Sequence, residues 1–223
     1  MKATRIIIGT CLAALALPAL VACNIAAGVG YMIESYKRDS THVVPPEYTG
    51  LAGKSFALIV TGDRVLQGSW PTLFPRLTAR MTDRLVENQA LTQVTGVVPA
   101  VSVVQFQLEN PNWVAWPFDK VAEELGVERL IVVEMYDYRL NEPGNAYLWD
   151  AVAAARVGVI EVESPTPSEF VFQKELQVKF PDERGQTPEQ ITQQQVQANI
   201  DKRITDRVTW LFYEHDEPYY PEY

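Results

Sequence analysis

Two runs of apolar residues with no polar interruption, Phe-Ala-Leu-Ile-Val at residues 56–60 and Leu-Ile-Val-Val at residues 130–133, constrain the fold most. A strand with one wet face alternates apolar and polar side chains, because successive side chains point to opposite faces. A short run that is apolar at every position reads instead as a strand buried on both faces. The first run lies between Gly53 and Gly62, which bound it as one short element. The second opens a longer stretch, residues 129–140, whose later half alternates, so that strand is central at its start and emerges into solvent. A chain of 223 residues has room for one sizeable core around such strands.

The segments between them supply the cover. Residues 72–88 place Leu73, Phe74, Leu77, Met81 and Leu85 at steps of three and four, with Arg76, Arg80 and Arg84 along another face. That spacing predicts an amphipathic helix begun near Pro71 and Pro75. Residues 97–107 alternate imperfectly around Val101, Val103, Val104 and Phe106, a β-branched run that predicts a strand. Asp119 opens a short helix over residues 120–125, and Gly126 supplies the left-handed position that ends it. Residues 150–163 read as a strand rich in alanine and valine. Residues 170–180 alternate most cleanly, with Phe170, Phe172, Leu176, Val178 and Phe180 opposed by Gln173, Glu175, Gln177 and Lys179, as in a strand near a sheet edge. Thr187-Pro-Glu-Gln190 has the form of a capping box, followed by a helix bearing Val196, Ile200, Ile204, Val208, Leu211 and Phe212.

The order is strand, helix, strand, short helix, three strands, helix. Strands joined through helices imply parallel neighbours, and the short Ser/Pro loop at residues 164–169 implies an antiparallel hairpin. The expected fold is α/β (α+β): a mixed sheet of about five strands with two long helices and one short helix packed on it. The domain is expected over residues 51–213. Residues 34–50, with Pro45-Pro46, read as a tether, and residues 214–223 as an acidic, aromatic tail, a disordered end in preference to an extended segment docked on a partner.

The amino terminus fixes the compartment. Lys2 and Arg5 precede an apolar run over residues 6–20, which ends in Leu20-Val-Ala-Cys23. This is the pattern of a bacterial lipoprotein signal, in which a cationic start stays cytoplasmic, the apolar run enters the translocon and small residues precede the cut. Residues 1–22 then leave as signal peptide, Cys23 takes a diacylglycerol, and residues 23–50 form the lipidated terminus and tether. The open alternative is an uncleaved anchor, since residues 25–33 are again apolar and residues 6–33 are long enough to span a bilayer. Either way the domain faces the periplasm, and Asn24 in place of Asp favours the outer membrane over the inner. Cleavage removes both Lys2 and Arg5 and no acid, leaving 17 basic against 28 acidic side chains, a formal charge of −11. Cys11 is lost and Cys23 is acylated, so the domain rests on its core without disulfides.

Composition excludes several chemistries. The acidic balance argues against nucleic acid, and two His with two Cys leave no Cys/His metal site. His42 lies in the tether and His215 in the tail, so neither is placed as a catalytic base, and Gly-x-Ser-x-Gly is absent. Residues 62–68 lack Gly-Lys-Ser/Thr and read as a simple loop. Glu134, Asp137, Glu161 and Glu163 sit on strands, where such spacing is also that of a solvated face.

The stretch Val-Ala-Glu-Glu-Leu-Gly-Val-Glu-Arg-Leu-Ile-Val-Val-Glu-Met at residues 121–135 resembles the helix, glycine, strand step of a group of envelope lipoproteins. The group comprises the curli-secretion-channel lipoprotein, the lipoprotein activators of penicillin-binding proteins and the amino-terminal domain of TolB. The resemblance covers residues 54–213 by element order. Where the group carries an Asp-x-x-x-Gly turn, this chain reads Glu161-Val-Glu-Ser-Pro-Thr-Pro-Ser-Glu-Phe170, without glycine. The resemblance implies a non-enzymatic domain that binds protein partners and needs no cofactor.

In an open sheet, loops at the carboxyl ends of parallel strands are where ligands bind. Those loops, residues 62–71, 108–118 and 139–149, hold Asp63, Arg64, Trp70, Trp113, Trp116, Tyr147 and Trp149, an expected partner or ligand surface. The expected function is binding of a protein partner in envelope assembly or maintenance by a lipid-anchored domain, with a homo-oligomer left open. The alternative is a periplasmic binder of small molecules or glycans through the aromatic loops.

Overall fold

A computed structural model describes residues 41–218 and divides them between two compact units, Pro45–His215 and a smaller one that includes the described segments 41–44 and 216–218. The signal peptide, Cys23 and the last five residues of the tail lie outside the described residues. The larger unit is a mixed α/β fold. Among the described residues no helix is long and apolar enough to cross a membrane.

Its sheet has five strands. These are β2 (Ser55–Gly62), β3 (Gly96–Val97), β4 (Arg129–Asn141), β5 (Trp149–Glu161) and β6 (Phe172–Phe180), in the order β3-β2-β4-β5-β6. β2 runs parallel to β3 and β4, and β4, β5 and β6 are antiparallel in turn. The two uninterrupted apolar runs are therefore neighbours at the centre, with Leu58 beside Ile131 and Val60 beside Val133.

Each face of that centre has its own core. Phe56, Leu58, Val60, Ile131 and Val133 point to one side, and Ala57, Ile59, Leu130 and Val132 to the other. On the first side lie α1 (Arg64–Ser69), α2 (Leu73–Glu87) and α6 (Gln193–Thr209), with Leu73, Leu77, Met81 and Leu85 meeting Val196, Ile200, Ile204 and Val208 over the sheet. The second side is covered by α4 (Ala100–Glu109), a 3₁₀ turn (Trp113–Ala115) and α5 (Phe118–Leu125). Gly126 ends α5 in the left-handed region at φ 67° as expected, donating to the Ala122 and Glu123 carbonyls. A short α3 (Gln89–Thr92) links α2 to β3.

Several expectations are corrected. Residues 97–107 are not a strand: pairing stops after Val97, and Ala100–Glu109 is helical behind Pro99, whose extended backbone (φ −56°, ψ 142°) starts the helix. Val103 and Phe106, three apart, bury themselves, so tertiary packing overrides the β preference of valine. The loop read at residues 62–71 contains α1, capped by Asp63, whose Oδ1 accepts from the Leu66 N–H at 2.7 Å. The last helix starts at Gln193, not near Thr187. Thr187 and Gln190 close a turn, and the same Thr-x-x-Gln pattern five residues on, Thr192 and Gln195, forms the capping box. Arg76 and Arg84, on the other face of α2, pair with Asp201 and Asp206 of α6, and Arg80 stays exposed at the edge of the same seam.

The tether is shorter than expected. Thr41–Val44 (β1) pairs with His215–Pro218 (β7) as a two-stranded sheet of its own, so this part of the tail is a strand. Residues 45–54 pack as part of the larger unit: the Tyr48 N–H donates to the Leu211 carbonyl at 2.9 Å, and the Tyr48 ring meets Phe172 and Phe212.

Candidate partner-binding face

Of the residues expected to share one surface, the four tryptophans are divided between the two cores and Asp63, Arg64 and Tyr147 are exposed. Trp70 caps α1 on the α2/α6 side, donating its Nε1–H to the Tyr138 carbonyl at 3.1 Å and meeting the Tyr138 ring edge-on at 5.1 Å. Trp149 is buried on the same side, with Nε1–H on the Ile191 carbonyl at 2.7 Å. Trp113 is buried on the opposite side, and Trp116 is packed beside it against Phe106, with the Lys120 ammonium 4.1 Å above its ring. Tyr147 is exposed at the β4–β5 turn, and Asp63 and Arg64 are exposed at the start of α1. Buried indoles with their N–H groups on backbone carbonyls are core residues, and the seven residues do not form a common aromatic platform.

The strand carboxylates are paired. Glu134 faces Arg156 at 3.7 Å, Asp137 binds Arg139 at 2.7 Å, and Glu161 accepts from the Tyr48 hydroxyl at 2.7 Å. Glu163 takes both guanidinium nitrogens of Arg129, at 2.5 and 2.7 Å, and also Lys54 at 3.0 Å. Arg129 is buried and further donates through Nε to the Gly50 carbonyl at 2.9 Å, tying residues 45–54 to the first residue of β4. Glu128 accepts from the Ser55 N–H at 3.1 Å and from Lys54 at 3.0 Å. His215 stacks on Trp210 with centroids 4.5 Å apart instead of lying free in a tail.

These pairs set an acid limit. Hydrogen bonding to Arg129 is the main cause that holds the Glu163 carboxyl at about 2, below its ordinary 4.5, and the Ser55 N–H and then Lys54 hold Glu128 below the same value. A carboxyl depressed in the folded state stabilises fully above its unfolded value, and that contribution is lost as pH falls through the folded value. Thermal stability is therefore expected to decline as pH drops from about 4.5 towards 2. Glu163→Gln should flatten that part of a melting profile, and an unchanged slope would show that the pair does not carry it.

A second set of charges fills the seam between α2 and α6. Asp201, 1% exposed, accepts from Arg76 Nε at 2.8 Å and from the Tyr138 hydroxyl at 2.6 Å, with Arg80 at 3.8 Å. Asp206 accepts from Arg84 at 2.7 Å and Lys202 at 2.6 Å. Burial, then the charge of Asp201, pushes the Tyr138 hydroxyl far up, so it stays a donor. A cavity of about 280 Å³ opens here, but its Arg80, Arg84 and Lys202 are matched by Asp83, Glu87 and Asp206. The seam is a clamp between helices.

The outer face of α4 differs from both charged regions. Val103 and Phe106 turn inward, whereas Val101 and Leu108, seven positions apart and so on one stripe, are 73% and 78% exposed. Val104 lies between them, half-buried, and Val114 on the 3₁₀ turn and Val97 on β3 add further exposed apolar groups. Scattered apolar side chains are ordinary at a surface, and these two are distinguished by sharing one stripe of a helix whose other side is buried. Reading the segment as a strand hid this face. The signal that could have found it is the scarcity of charge around it.

No protein-family model matches the sequence, and no curated protein matches it. Solved structures resemble the fold at low identity. Lipoprotein GNA1162 from Neisseria meningitidis aligns over 69% of this chain and 97% of its own at 10% identity, with a TM-score of 0.44. The PelC dodecamer from Paraburkholderia phytofirmans aligns over 79% and 99% at 7% identity and 0.43. Hypothetical protein CT253 from Chlamydia trachomatis aligns over 70% and 98% at 15% identity and 0.37.

Proposed function

We propose that the chain is a lipid-anchored bacterial envelope protein whose α/β domain binds a protein partner through the outer face of α4, without catalysis. The observation that carries this reading is the exposed stripe of Val101 and Leu108 on a helix whose other side is built into the core. The anchor rests on the Leu20-Val-Ala-Cys23 pattern, and Asn24 supports outer-membrane sorting. Lipid holds the domain at the periplasmic side of a membrane, where a partner is met in two dimensions. Paired carboxylates and indoles committed to the core support binding over hydrolysis or an aromatic ligand platform.

A photoreactive residue placed at position 108 of the lipidated chain, irradiated in membranes, is expected to form covalent adducts with protein. The same residue at position 175, on the charged face of β6, should give none. Equal adducts at both positions, or none at 108, would remove the reading. Lipid labelling should mark the chain and not its Cys23→Ser variant, and unchanged labelling of the variant would sink the anchor.

A further inference from the structure

The α4 face lies in a part of the chain almost free of charge. Between Glu87 and Asp119 the only charged side chain is Glu109, although 21% of all residues are charged. Five of the thirteen large apolar side chains exposed among the described residues fall in this stretch: Leu91, Val97, Val101, Leu108 and Val114. The rim of α4 is formed by Ser102 and Gln105, and Gln105 holds Glu109 by a hydrogen bond of 2.7 Å.

We propose that this face is where two copies of the chain meet, α4 against α4 about a two-fold axis. The proposal rests on the reading of α4 as a partner-binding surface and names the partner. Without residues 1–22 the chain carries a formal charge of −11, so most of its surface repels a second copy. Across α4 itself two such chains can approach with Glu109 as the only like charge the helix brings, and interface cores are depleted of charge in the same way. A two-fold contact is self-complementary. With the helices antiparallel, Val101 of each copy meets Leu108 of the other on either side of Val104, and the two Glu109 carboxylates lie at opposite ends.

The size of the face sets the conditions. Ten residues at a rise of about 1.5 Å make a helix about 15 Å long, and one face of it falls well short of the roughly 800 Å² per partner of a standard stable interface. Pairing is therefore weak in dilute solution and becomes populated when the lipid anchor confines the chains to one surface.

The test uses the lipidated full chain, in which an introduced cysteine is the free thiol. Differently tagged Val101→Cys and Leu108→Cys chains are expressed together and treated in membranes with a short bismaleimide. The expected product carries both tags at twice the chain mass, in at least about tenfold excess over the product from Lys179→Cys chains. Adding Leu108→Glu to Val101→Cys chains should cut that product about tenfold with the melting temperature unchanged, because the side chain is exposed. A product joining one tagged chain to a different protein would overturn the two-fold pairing and leave the partner-binding reading standing. No product from α4 cysteines, together with no photoadduct at position 108, would overturn both.

Discussion

Asp201→Ala is expected to lower unfolding free energy by about 3–5 kcal/mol, the cost of leaving a buried charge and its hydrogen-bond partners uncompensated. The carboxylate is 1% exposed and is the acceptor for Arg76 Nε and the Tyr138 hydroxyl, so its loss orphans a guanidinium and a buried phenol together. A domain of this size should melt roughly 6–20 °C lower. Asp201→Asn keeps an acceptor in place and should cost less than alanine. Urea titrations with unchanged slopes would report the difference directly, and a loss under about 1 kcal/mol would show that the seam contributes little beyond its apolar stripe.

The other large effect is expected at Arg129. Its side chain is 5% exposed, holds Glu163 through both terminal nitrogens and reaches the Gly50 carbonyl through Nε. Arg129→Ala removes the cation from two carboxylates, Glu161 and Glu163, and its hydrogen bond to the Gly50 carbonyl, at about 1.5–3 kcal/mol, since both carboxylates reach solvent and Lys54 still holds Glu163. It should also flatten the part of the decline in stability between pH 4.5 and 2 that Glu163 carries, since Arg129 is the main cause of its depressed value, while the Glu128 part remains. A variant that keeps the wild-type acid profile would refute that assignment. Asp201 and Arg129 share no hydrogen-bond or ion-pair partner, so the double variant should lose the sum of the two single losses.

The sheet was legible in the sequence where its burial pattern was unambiguous. Residues 56–60 and 130–133 can satisfy an unbroken apolar run only at the centre, and β6 announces its wet face by alternation. The α4 helix was not legible, because Val101, Val103 and Val104 favour a strand locally and only Pro99 and the three-residue step from Val103 to Phe106 mark the helix. The tryptophans misled for another reason: composition gives an aromatic residue its area but not the side of the sheet it enters. Trp70 and Trp113 are both in loops or turns near strand ends, yet they join different cores. The partners of Arg76 and Arg84 were not legible, because Asp201 and Asp206 lie more than a hundred residues away on α6. The face proposed for binding was written in the sequence as a shortage of charge, a signal carried by no single motif.

The attachment of residues 45–54 determines how the domain responds to a pull on its amino-terminal side. Glu47 is held by Lys174 of β6, Tyr48 by the Leu211 carbonyl just beyond α6, and Gly50 by Arg129 at the head of β4. These three ties, within four residues of chain, end at three separate places in the fold, so a pull from this side meets three points before it reaches β2. Loss of any one tie should therefore leave β2, which begins at Ser55, still shielded by the other two.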